Sequence, residues 1–105
     1  NNAFNGLTNL NDLNLKKNKL NLYFNDLRKK YEPFKSLNNL FRLNLSENPI
    51  KFIYRDLFNG LENLKVLLMI RINLERIEEN DLNEMKRLRK ILILENYYLN
   101  YVHDK

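Results

Sequence analysis

The chain has no cysteine, one histidine and only two glycines among its 105 residues. Without cysteine it can form no disulfide, no thiolate zinc site and no Cys/His nucleophile, and His103 is the single imidazole that a metal could use. Gly6 and Gly60 occupy equivalent places of a repeat, which is typical of turn residues and not of a phosphate-binding loop. No base is placed near an aliphatic hydroxyl; those hydroxyls belong to Thr8, Ser36 and Ser46. We therefore expect no enzyme, no metal site and no cofactor.

A long hydrophobic run is also missing. The longest one, residues 66–70, is far shorter than the roughly 20 residues that a membrane-spanning helix needs. The net charge of +5 would suit an acidic partner. The basic clusters, Arg28-Lys29-Lys30 and Lys86-Arg87 with Arg89-Lys90, do not alternate with stacking aromatics, and acidic residues such as Glu78, Glu79 and Glu84 precede the second cluster. We expect a solvated basic surface, with neither nucleic acid binding nor membrane contact by this segment.

What the chain does have is one apolar frame, present four times. Its anchors are Phe4, Phe34, Phe58 and Leu82, which lie 30, 24 and 24 residues apart. The frame reads Phe4, Leu7, Leu10, Leu13, Leu15, Asn18, Leu20, then Phe34, Leu37, Leu40, Leu43, Leu45, Asn48, Ile50, then Phe58, Leu61, Leu64, Leu67, Met69, Ile72, Leu74, and finally Leu82, Met85, Leu88, Ile91, Ile93, Asn96, Tyr98. This spacing is typical of leucine-rich repeats, and about three repeats are the minimum for a stable array. We expect one array with repeats near 4–33, 34–57, 58–81 and 82–105, cut from a longer protein without its caps.

The end of each frame alternates with period two, as in Leu13-Asn14-Leu15, which predicts a short strand with one buried face. The fold class is then α/β: a right-handed leucine-rich-repeat solenoid, or horseshoe. Its concave side is a parallel sheet of about four short strands, and its convex side is irregular. Equivalent residues of successive strands would form columns about 4.8 Å apart.

Two further features of the frame carry structural predictions. Asn18, Asn48 and Asn96 follow the strands, where a buried amide can bond backbone groups that lack a sheet partner. The third repeat has Ile72 in that place, so either the asparagine ladder is broken there or the register slips by one residue. The four anchors should stack as a spine on the convex side, which is a packing role.

The residues between the frame leucines would line the concave face, and we predict that this face binds a ligand. In the first two repeats they are polar: Asp12, Asn14, Lys16, Arg42, Asn44 and Ser46. In the next two they are mostly aliphatic: Val66, Leu68, Ile70, Lys90, Leu92 and Leu94. Such a patch is unusual on a soluble monomer. It would be covered by a following segment of the parent chain, by a protein or peptide ligand, or by self-association through Leu68, Ile70, Leu92 and Leu94.

Two surface features leave alternatives open. Asn44-Leu45-Ser46 fits the glycosylation sequon, although Asn and Ser are also common at strand positions that face water. The first interval carries six extra residues between Leu20 and Phe34. These form either an ordinary surface loop or a loop that contacts a partner.

The residues from Phe34 to His103 resemble the last ectodomain repeats of relaxin-family peptide receptors, which are leucine-rich-repeat G-protein-coupled receptors. The resemblance is carried by Leu43-Asn44-Leu45-Ser46, Asn48-Pro49-Ile50, the coil with Ile72 and Ile77, and Tyr98-Leu99-Asn100-Tyr101. It implies a hormone-binding receptor ectodomain that acts in signal transduction, on the extracellular side of the plasma membrane. The family has a cysteine in the place of Leu99, so its disulfide closure does not carry over. A structural spacer, or an intracellular scaffold in the cytoplasm, is the alternative.

Overall fold

The structure is a computed structural model, and it describes residues 4, 6–19, 32–54, 56–93, 96 and 100–102. Leu94 and the insertion up to Tyr31 lie outside the described residues, so the predictions for them stay predictions. The strands are β1 (Asp12–Asn14), β2 (Arg42–Asn44), β3 (Val66–Leu68), β4 (Arg76–Glu78), β5 (Lys90–Leu92) and β6 (Asn100–Val102). The helix found among the described residues is a 3-10 helix, Glu79–Leu82.

Four of the strands form one parallel sheet in the order β1-β2-β3-β5, which confirms the predicted sheet with one strand from each repeat. The register pairs Leu43 with Leu13 and with Leu67, and Leu67 with Ile91. The third repeat therefore has not slipped. Ile72 is fully buried in the place of the missing asparagine, so the ladder is interrupted at this repeat while the register is kept.

The opposite side of the chain is more regular than we expected. Strands β4 and β6 form a second parallel sheet, and Phe52 makes an isolated parallel bridge with Arg76. Phe52, Arg76 and Asn100 are separated by the same 24-residue interval as the frame, so the repeat brings their backbones side by side. The prediction of an irregular convex side is wrong for these segments, because the 24-residue interval aligns their backbones although their side chains do not follow the leucine pattern.

Each frame begins with two tight turns. The amide of Leu37 donates to the carbonyl of Phe34, and that of Leu40 donates to Leu37, at 3.0 and 3.2 Å. The other three repeats repeat both bonds from their own anchors. Bonds between residues three apart give about three residues per turn, so residues at this spacing share one face. The frame thus has period three in the turns and period two in the strand, and both parts direct leucines to one side.

The core lies in the second and third repeats. Their frame residues from the anchor to the strand are at most 1 % exposed, whereas Leu10, Leu13, Leu88 and Ile91 of the outer repeats are only partly buried. A middle repeat has neighbours on both sides, which explains the difference. The predicted spine is confirmed for three anchors: the ring of Phe34 stacks on Phe4 and on Phe58, with centroids 5.8 and 6.4 Å apart.

Gly60 marks a point where two repeats touch through their backbones. Its φ is +96°, and a Cβ atom placed on it would lie 2.4 Å from the carbonyl oxygen of Lys35. We expect Gly60→Ala to destabilise the chain by about 2 kcal/mol or more, because it adds a backbone clash to the cost of an L residue in the left-handed region. Urea denaturation of the variant measures this loss.

Gly6 provides the matched control for that substitution. It has a similar φ of +85°, yet nothing lies within 4 Å of the position that its Cβ would take. Gly6→Ala should therefore show only the conformational cost, about 1 kcal/mol. Equal losses in the two variants would contradict the close approach of Gly60 to Lys35.

Candidate binding face

We define the open face as the side of the four-stranded sheet that points away from the leucine core. Three columns of equivalent residues cover it: Asp12, Arg42, Val66 and Lys90; Asn14, Asn44, Leu68 and Leu92; and Lys16, Ser46 and Ile70, with Leu94 outside the described residues. Leu68 is buried but does not belong to the core cluster, as expected for a side chain on the opposite side of the sheet. The structure therefore brings the predicted site residues that it describes together on one face.

Three of these residues are less accessible than predicted. Asn44, Ser46 and Leu68 are 8, 3 and 8 % exposed, so the expectation that they would be open to a ligand is wrong. All three lie in the middle repeats, where in-register neighbours stand on both sides at about 4.8 Å. The exposed and half-buried members are Asp12, Asn14, Lys16, Arg42, Val66, Ile70, Lys90 and Leu92.

The two asparagines of the open face are used by their own backbone. The Oδ1 atoms of Asn14 and Asn44 accept hydrogen bonds from the amides of Lys16 and Ser46, each at 3.0 Å. Such a bond to the residue two positions on is an Asx turn, which bends the chain out of the strand. Since the sequon residues Asn44 and Ser46 are both buried, the folded chain does not present this amide openly for a glycan. Glycosylation of Asn44 itself stays a prediction.

The Ser46 side chain forms a hydrogen bond between two repeats, which the sequence did not indicate. Its Oγ accepts a hydrogen bond from the amide of Ile70 at 3.0 Å, across to the third repeat. That repeat is the one that lacks the ladder asparagine, and the amide of Glu47 also reaches it by donating to the carbonyl of Ile70. A hydroxyl and backbone bonds thus join the second and third repeats where Ile72 interrupts the ladder.

The asparagine ladder itself is confirmed at two places. Asn48 is 2 % exposed; its Nδ2 donates to the carbonyls of Leu15 and Leu45, and its Oδ1 accepts from the amide of Asn18 at 2.9 Å. Asn96 in the same way joins the fourth repeat to Met69 and to the amides of Ile72 and Leu74. The prediction of a buried amide is wrong for Asn18, which is exposed because no described repeat covers its outer side.

A second ladder was missed in the sequence. The Nδ2 atoms of Asn39 and Asn63 donate to the carbonyls of Thr8 and Asn38, each at 2.6 Å. The signal was present, because Asn recurs immediately before the third frame leucine at positions 9, 39 and 63. Exposed asparagine reads as ordinary surface composition, so only its repeated position could have indicated this role.

Charged residues occupy the left-handed turn at the ends of β1, β2 and β3. Lys17, Glu47 and Arg71 are equivalent in the repeat and have φ of 59, 59 and 55°. The Glu47 carboxylate lies 3.3 Å from Lys16 Nζ and 3.7 Å from Lys17 Nζ. Desolvation raises the pKa of Glu47. The hydrogen bond from Lys16 and the charges of Lys17 and Arg71 together lower it by more, so the pKa of Glu47 lies below its ordinary value. Glu47 is therefore ionised at neutral pH and offsets these cations.

The other end of the strands carries uncompensated positive charge. Lys65, Arg89 and Lys90 are exposed, and the amides of Arg89 and Lys90 both donate to the Lys65 carbonyl at 3.0 Å. None of the three forms an ion pair within the described part of the chain, whereas Arg42 faces Asp12 at 3.6 Å. Phe41, which precedes Arg42, is 44 % exposed. The open face thus has Lys90 at the start of β5, with Lys65 and Arg89 just before β3 and β5, and aliphatic side chains beyond them.

No helix among the described residues has the length and apolar character needed to cross a membrane. No protein-family model matches the chain, and none of the curated proteins is significantly similar to it.

Proposed function

We propose that the chain is a noncovalent protein- or peptide-binding leucine-rich-repeat module that uses the open face. The observation that carries this proposal is that Val66, Ile70 and Leu92 are only half-buried. They lie on the sheet face opposite the hydrophobic core, and none of the three belongs to that core. Fully burying an aliphatic side chain contributes about 1.5 to 3 kcal/mol, so the part that is still exposed in each can strengthen binding. The four in-register strands support the further proposal that the repeats stack as a right-handed solenoid.

A selection experiment tests the role of the open face. Random peptides displayed on phage are selected on the immobilised chain, and the enriched peptides are then measured against Leu92→Asp and Ile70→Asp variants. We expect at least tenfold weaker binding to both variants, because a carboxylate would lose hydration under an apolar ligand group. Thermal unfolding of each variant shows whether its fold is kept.

Phe52→Asp is the matched control for this selection. Phe52 is 52 % exposed and lies beside β4, outside the four-stranded sheet. Binding should be unchanged in this variant. Peptides that bind Leu92→Asp and Phe52→Asp equally well, or a selection that enriches no peptide, would refute the proposal.

For the whole protein, we propose a hormone-receptor ectodomain similar to those of relaxin-family receptors, on the extracellular side of the plasma membrane. This proposal rests on the sequence resemblance and on the open face together. The alternative is a rigid spacer or a cytoplasmic scaffold. The full-length gene product discriminates between them, since a signal peptide and seven downstream hydrophobic spans would favour the receptor.

A further inference from the structure

The third and fourth repeats combine two kinds of side chain at a fixed spacing. Lys90 and Val66 are paired across β5 and β3, and Leu92 and Leu68 are paired two residues further along. Residues two apart in a strand lie about 6.6 Å from each other on one face. The surface therefore has one cation, Lys90, beside Val66, and an aliphatic pair, Leu92 and Leu68, at the distance that separates alternate residues of any extended peptide.

Unpaired cations lie at the starts of β3 and β5. Lys65, Arg89 and Lys90 lie at or just before the starts of β3 and β5, and none of them is paired with a described carboxylate. Glu62 and Glu84 belong to the preceding turns and form no ion pair with them. In the first two repeats, by contrast, Arg42 is offset by Asp12 and the lysines by Glu47. An anionic group would therefore be attracted to the starts of β3 and β5.

We propose that these two repeats bind an extended acidic peptide segment in which a carboxylate and an aliphatic side chain are two positions apart. The carboxylate lies against Lys90 and Lys65, and the aliphatic side chain lies against Leu92 and the exposed part of Ile70. Phe41 is the residue of the second repeat equivalent to Lys65, and its carbonyl accepts a hydrogen bond from the Lys65 amide. Its ring is 44 % exposed and offers an apolar contact at the edge of the same surface. This inference rests on the proposed function and specifies the class of ligand.

A peptide ligand fits this surface better than single-stranded nucleic acid does. Nucleic acid binding of that kind uses aromatic rings beside the cations, so that bases can stack. Here the side chains next to the cations are aliphatic, apart from Phe41. The cations alone would attract both an acidic peptide and a nucleic acid. The aliphatic side chains favour the peptide, because they can pack against its apolar side chains.

The test uses three acetylated, amidated 12-residue peptides and fluorescence anisotropy. The first has three copies of Glu-Ser-Leu-Ser, which places all Glu and Leu side chains on one face of an extended chain. The second has three copies of Glu-Leu-Ser-Ser, with the same composition but Glu and Leu on opposite faces. The third has Lys in place of Glu in the first. We expect the first peptide to bind at least tenfold more tightly than either of the others.

Charge reversal in the protein gives the second measurement. The double variant Lys65→Glu/Lys90→Glu should bind the first peptide at least tenfold more weakly than the unchanged chain does, and it should bind the lysine peptide more tightly. The matched double variant Lys51→Glu/Lys86→Glu changes the net charge equally, at exposed residues outside the open face, and should alter binding less than twofold.

Several results would overturn the inference. They are equal affinity for the first two peptides, equal effects of the two double variants, or tighter binding of a 12-nucleotide oligouridylate than of the first peptide. If the phage selection yields ligands that depend on Leu92 but are neutral or basic, the acidic class is wrong while the proposed function holds. If no ligand depends on Leu92, both are wrong.

Discussion

Phe34→Ala should lower the free energy of unfolding by about 3 to 5 kcal/mol, the range measured for removing a buried aromatic ring. Phe34 is fully buried and stacks on two other rings, with interplanar angles of 21° to Phe4 and 13° to Phe58. Its loss opens a cavity in the spine and removes both stacking contacts, each worth about 0.5 to 1.5 kcal/mol beyond the buried area. Urea denaturation followed by circular dichroism measures the change.

Phe4→Ala is the comparison for this variant. Phe4 is half-buried and stacks on Phe34 alone among the rings described, so its loss should cost roughly half as much. Phe34→Leu, which refills most of the cavity, should also recover part of the stability. A Phe34→Ala variant that is as stable as Phe4→Ala would mean that the spine contributes little to the core.

Asn48→Ala should destabilise the chain by about 2 to 4 kcal/mol, because each buried polar group left without a partner costs about 1 to 3 kcal/mol. The amide nitrogen of Asn48 donates to Leu15 and Leu45 carbonyls at 2.8 and 3.0 Å, and its oxygen accepts from the Asn18 amide. An alanine there satisfies none of these groups, and the site is only 2 % exposed, so bulk solvent does not reach them. Equilibrium unfolding in urea measures the loss.

The equivalent asparagine of the first repeat is the control. The Asn18 side chain is exposed and donates to the carbonyl of Lys16 at 3.1 Å, where water can replace it. Asn18→Ala should therefore cost less than about 0.5 kcal/mol. Asn48→Asp keeps the acceptor but loses the donors and adds a buried charge, so it should be no more stable than Asn48→Ala. Similar stabilities of Asn18→Ala and Asn48→Ala would contradict the ladder.

The position of the strands could be predicted because the signal was redundant. Leu43 and Leu45 show the two-residue alternation, and the same pattern recurs at the same offset from Leu13 and Leu67. Each repeat therefore confirmed the register of the others. The position of Ile72 was ambiguous from the sequence, and the buried side chain settles it, since the frame tolerates an aliphatic group where the amide is missing.

The accessibility of the open face could not be predicted in the same way. A period-two pattern shows which side of the sheet a residue such as Leu68 occupies, but exposure also depends on the residues above and below it in the column. Hydrogen bonds between repeats have the same limitation. The bond from Ile70 to Ser46 joins residues 24 positions apart, and no local preference of serine indicates it.

The site residues were predicted with mixed results for a related reason. Lys90 and Leu92 lie where the alternation placed them, on the face opposite the core. Asn44 and Ser46 lie on that face as well, but their polar atoms are occupied by the backbone. Composition alone does not distinguish a polar group that can meet a ligand from one that already holds a turn.

The register of the four-stranded sheet also bears on folding kinetics. Leu43 pairs with Leu13, 30 residues away, and Leu67 and Ile91 each pair with a residue 24 positions earlier. Closing a loop of 30 residues instead of 24 costs only about 0.2 kcal/mol more, from the logarithmic dependence of closure entropy on length. The longer first interval therefore slows the search for contacts very little. Since each strand of the four-stranded sheet pairs with the equivalent strand of the adjacent repeat, further repeats would lengthen the chain without lengthening that search.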